Sequence, residues 1–136
     1  MKKGVKVAQQ GELLVINKAK TLCKYIIDAT GKSPKKFRFT LVTRLQNYSL
    51  DVVESLITAN EIYVVEGASV EAIKRTELQR KAMTSLKLIS YISEIAMTEQ
   101  CILPRQFEQI SKLIFNTQNL LGAWMKSDRN KFKNMG

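Results

Sequence analysis

With 136 residues, 45% of them apolar, the chain is long enough for one domain around a single core and too short to suggest two. It has no histidine, which removes the commonest general base and metal ligand. Its two cysteines, Cys23 and Cys101, are too few and too far apart for a zinc site or a CxxC redox motif. Its net charge of +10 is the one global property that points to a partner, and that partner is anionic.

Residues 1–11 carry three lysines and two glycines and few groups that can pack. They are expected as a flexible basic N-terminal arm ahead of a domain spanning 12–127. Behind them Lys18, Lys20 and Lys24 interrupt the apolar residues, so no signal-peptide core follows, and no window reaches the length of a membrane span. The expectation is a cytoplasmic protein with no membrane partner and no cofactor, its cysteines serving as small buried apolar residues. Val15, Ala19, Leu22, Ile26 and Ala29 recur at helical spacing and define a first helix, with Gly31 expected to end it in a left-handed conformation.

Ser33 and Pro34 read as the N-cap and first residue of a second, central helix. Its seam is Phe37, Leu41, Leu45, Tyr48, Val52, Leu56, Ala59 and Ile62, with no proline or glycine before Gly67. Unbroken from Lys35 to Glu66, it would be roughly 48 Å long, which only other long helices can cover. Ile62–Val65 is rich in β-branched and aromatic residues, but a lone strand would have no partner, so it too is expected to be helical. Ser69 is the expected N-cap of a third helix, whose inner face is Leu78, Ala82, Ile89, Ile92 and Ala96, widened by Met83, Leu86 and Met97. Pro104 opens a fourth, with the seam Phe107, Ile110, Ile114, Thr117, Leu121 and Trp124. Gly122 inside that helix is read in two ways: room for a bulky neighbour such as Trp124, or close approach of a second subunit. Residues 128–136 are expected as a flexible basic tail.

Four helices joined by short loops predict an all-α, antiparallel up-down-up-down four-helix bundle. That topology sorts the charge. Residues 1–44 carry +9 and residues 45–72 carry −5. One pole gathers Lys24, Lys32, Lys35, Lys36, Arg38 and Arg105. Arg75 falls at the other, beside acids, and Arg80, Lys81 and Lys87 form a separate patch on the third helix. These ten residues are the candidate nucleic-acid contacts.

The segments PKKFRFTLVTRLQNYSLDVVESLITAN, RTELQRKAMTSLKLISYISEIA and FEQISKLIFNTQNLLGAWMKS resemble a four-helix-bundle family. It contains the accessory variability determinant proteins of diversity-generating retroelements and the bundle proteins encoded in ribosomal RNA intervening sequences. The resemblance covers residues 12–127, and its most specific pieces are Arg38-Phe39-Thr40, Leu56–Asn60 and Leu121-Gly122-Ala123-Trp124. It implies a homopentameric barrel with a positive surface that binds nucleic acid, associated with a reverse transcriptase. The long basic arm and the acidic middle of the second helix depart from the family pattern.

The expected function is therefore a non-catalytic accessory protein that binds RNA or DNA and a reverse transcriptase. The alternative is a structural or protein-binding homo-oligomer with no nucleic-acid role. An enzyme is disfavoured, because carboxylate metal sites in bundles use Glu-x-x-His pairs, which a chain without histidine cannot form. Glu54, Glu61 and Glu94 read as solvated or salt-bridged positions on outer faces. Tyr48, Tyr63 and Tyr91 read as boundary core residues in preference to stacking platforms.

Overall fold

The computed structural model describes residues 2–66 and 69–135. Four α-helices carry them: α1 (Lys2–Thr30), α2 (Thr43–Glu61), α3 (Ser69–Thr98) and α4 (Pro104–Met135). No strand occurs among the described residues. Helix α1 packs on α2 and α4, and α3 packs on the same two helices. One core lies between them.

The seams that close this core follow from helical periodicity. Val15, Ala19, Leu22, Ile26 and Ala29 of α1 are all buried, as are Leu45, Val52, Leu56 and Ala59 of α2. On α3 the buried apolar positions are Ala82, Leu86, Ile89 and Ala96; on α4 they are Ile110, Ile114, Leu121 and Trp124, with Thr117 between them. Phe37, Leu41, Tyr48, Leu78, Ile92 and Phe107 pack against this core from its margins. Both cysteines are buried and free.

The helix ends differ from expectation in ways that matter for the surface. Helix α1 starts at Lys2, so the described part of the expected arm is helical; extending an existing helix avoids the nucleation cost of starting one. Likewise α4 runs on to Met135, because Asp128, expected in a flexible tail, is buried and anchors its last turns.

The expected second helix is shorter and irregular. Ser33 does not cap it: its hydroxyl donates to the Cys101 carbonyl at 2.7 Å, tying the loop after α1 to the loop after α3. Pro34 lies outside the helix with an extended ψ of 141°. A 3-10 turn (Lys35–Phe37) and a π turn (Arg38–Val42) precede α2. The wider π turn rotates the face, so Val42 is buried while Leu41 sits at the margin. At the other end α2 stops at Glu61, and Ile62–Val65 leave the helix. β-Branched side chains lose rotamer freedom in a helix, and the Ile62 carbonyl accepts instead from Arg75 Nη1 at 3.1 Å. Gly67, expected to end this helix, lies outside the described residues.

Gly31 follows α1 without the left-handed backbone expected of it. That conformation occurs at Gln100, φ 64°, after α3. There the Cys101 N–H donates to the Ala96 carbonyl (2.7 Å) and the Gln100 N–H to that of Met97 (3.0 Å), the paired bonds of a Schellman cap. A side chain in this region costs about 1 kcal/mol that glycine avoids. Gln100→Gly is accordingly expected to raise stability by about 0.5–1 kcal/mol, measured as a higher urea midpoint with unchanged slope.

Candidate nucleic-acid interface

The Ser33–Cys101 bond marks where the loops after α1 and α3 meet, and with them their cations. Lys32, Lys35, Lys36 and Arg38 lie within five residues of Ser33, and Arg105 lies four residues after Cys101, so these five share one end of the molecule. All five are exposed, and none is ion-paired among the described residues. From Ala29 to Leu50 the chain holds no acid; Glu99 and Glu108 flank the other loop in sequence. Lys36 Nζ lies 5.1 Å from the centre of the half-buried Phe37 ring, holding one cation against an aromatic face. Burial pushes the Cys101 thiol above its ordinary value, with the Ser33 hydroxyl beside it partly offsetting the rise. The thiol is thus neutral and contributes no charge.

A cleft of about 300 Å³ opens between the end of α1 and the irregular start of α2. Lys35 and Arg38 line it together with Thr30, Ser33 and Gln46, and no carboxylate does. Two other clefts each include an acid, Glu77 in one and Glu12 in the other.

The remaining candidate contacts lie elsewhere. Lys24 is further back on α1, in a surface ion pair with Asp28 at 3.2 Å. Arg80, Lys81 and Lys87 are exposed along α3, roughly 16–27 Å of helix from its end at Thr98. They form a patch apart from the basic pole.

Arg75 is a correction. Expected among the surface contacts, it is only 9% exposed and its guanidinium is fully engaged inside the protein. Nε and Nη2 donate to the two Asp128 oxygens at 2.7 and 3.0 Å, Nη2 also donates to Glu12 at 3.0 Å, and Nη1 donates to the Ile62 carbonyl. Gln79 Nε2 donates to Asp128 at 2.8 Å, and Trp124 packs under the guanidinium at 5.1 Å. The cluster joins α1, α3, α4 and the exit of α2. It lies roughly 35 Å of α3 away from the basic pole, and no phosphate can reach it without opening the core.

Four aromatic side chains among the described residues stand out from the surface, Phe115 on α4 being one. Tyr63 and Tyr91 are 81% and 70% exposed, against the boundary role expected of them, while Tyr48 packs on the core as expected. Phe39 is 85% exposed between Arg38 and Thr40 and was not singled out as a contact by the sequence. The signal available for it was an aromatic inside a run of cations without acids.

Among the described residues no group of three or more His, Cys, Asp or Glu is placed to hold a metal ion, and no helix is long and apolar enough to cross a membrane. No family model matches the chain, and no curated protein matches it.

Proposed function

We propose that this chain is a non-catalytic accessory protein that binds RNA or DNA through phosphate contacts at the basic pole. The observation that carries the reading is the set of five exposed cations, none ion-paired among the described residues, at the end where the Ser33–Cys101 bond joins the two loops. Cations held on rigid helices give affinity with little base readout, because phosphate contacts position a strand without specifying its sequence. The resemblance extends the proposal to an antiparallel up-down-up-down bundle, assembled as a homopentameric barrel beside the reverse transcriptase of a diversity-generating retroelement. The deciding experiment is binding of a labelled RNA at several salt concentrations. A steep linear fall of log affinity with log salt is expected, and a flat response removes nucleic acid from the account.

A second reading, a structural or protein-binding homo-oligomer, is favoured by the large apolar residues left on outer faces, among them Leu13, Leu50, Ile57 and Phe115, each at least 41% exposed. Gly122 bears on it. A Cβ there would meet nothing within 4 Å, so no neighbour in the same chain needs the space. Gly122→Ala is expected to stabilise the helix by about 1 kcal/mol on propensity alone, read as a rise in melting temperature. If a second subunit packs over Gly122, Gly122→Phe lowers the oligomer mass measured by light scattering; an unchanged mass places the subunit contact elsewhere.

A further inference from the structure

Building on the nucleic-acid reading above, we infer that the basic pole takes an unpaired strand, with one base stacked on Phe39 and a neighbouring phosphate seated in the cleft between Lys35 and Arg38. Among the described residues Phe39 is the most exposed large apolar side chain, at 85%, and it stands on the π turn that also carries Arg38. Along the chain its nearest acids are Asp28 and Asp51, so its sequence neighbourhood is cationic on both sides. A bare aromatic ring gains from a flat apolar face, and cations around it select a partner that brings negative charge with that face. An unpaired nucleotide has both, in its base and its phosphate.

The cleft supplies the second half. Of its polar lining groups, the Ser33 hydroxyl already donates to Cys101, and the Thr30 hydroxyl donates to Ile26 while accepting from Gln46. The Lys35 and Arg38 cations have no such partner among the described residues, and no carboxylate shares the cleft with them. Arg38 lines the cleft and Phe39 follows it on the same π turn, so the cation and the exposed ring stand side by side along the chain. A duplex keeps its base faces inside the stack and leaves Phe39 unmet, so it gains only the phosphate contacts.

The test compares a labelled RNA of about 20 nucleotides with the duplex of the same sequence, each against wild type, Phe39→Ala and Phe39→Trp. Wild type is expected to favour the single strand. Phe39→Ala should weaken single-strand binding about tenfold, leave duplex binding unchanged and keep the salt slope, since no cation is lost. Phe39→Trp should keep the affinity and show quenched tryptophan emission when the single strand is added. The exposed position makes folding of both variants checkable by an unchanged melting curve. Equal losses on both RNAs, no loss on either, or a change in oligomer mass with Phe39→Ala overturns the stacking role. A wild type that binds duplex as tightly as single strand overturns this inference while leaving the nucleic-acid reading in place. A wild type that binds neither removes both.

Discussion

Arg75→Ala is expected to cost about 3–5 kcal/mol, a large share of the stability of a domain this size. The loss does not come from one salt bridge. Removing the guanidinium leaves Asp128, whose side chain is 2% exposed, with only Gln79 as a partner, and it strips Glu12 and the Ile62 carbonyl of their donor. It also takes away the cation packed on Trp124. Arg75→Lys should recover only part of the stability, because an ammonium cannot reproduce the two parallel bonds to Asp128. The pair Arg75→Met with Asp128→Leu should also recover only part, since it removes the buried Asp128 charge but leaves Glu12, 14% exposed, without its cation and the buried Gln79 without an acceptor. Urea unfolding followed by circular dichroism measures all three. A loss under about 1 kcal/mol for Arg75→Ala would mean that the cluster is solvated.

Joint replacement of Lys32, Lys35, Lys36, Arg38 and Arg105 by alanine, which lowers the net charge from +10 to +5, is expected to weaken nucleic-acid binding at least about a hundredfold near physiological salt. The salt slope should fall by about 0.7–1 for each cation that meets a phosphate. All five are exposed, so the melting temperature should move little. The matched control replaces Arg80, Lys81 and Lys87 on α3. If that variant loses as much affinity, the interface lies along α3 and the pole is not the site. Because ions screen exposed charges strongly and buried pairs weakly, the same salt series should leave the Arg75 cluster nearly untouched.

The apolar seams were legible because burial imposes a three-to-four spacing, and Val15 to Ala29 or Ile110 to Trp124 show it plainly. The Arg75 cluster was hidden by its residue types, since Arg and Asp are ordinarily solvated. Its positions did carry a signal: Arg75, Gln79, Ala82, Leu86, Ile89, Ser93 and Ala96 step by four and three along one face, and Asp128 continues the steps of Leu121 and Trp124. The basic pole was legible because loop length alone places the cations together. The irregular start of α2 was not, because Ser33 is drawn to a loop far along the chain instead of capping a helix, and no local pattern announces that bond or the π turn after it. For the same reason Phe39 reads as one more residue of a helix until its exposure is known.

The two fastenings at opposite ends also have a kinetic meaning. Ser33 reaches a residue 68 positions away, and Arg75 reaches residues 53 and 63 positions away, so both bonds wait for distant segments to arrive. If such contacts form after the rate-limiting step, weakening them accelerates escape from the native state more than it delays its formation. Loss of Arg75 is then expected to register mainly in the unfolding arm of a chevron plot, and an equal effect on the folding arm would place the cluster in the transition state.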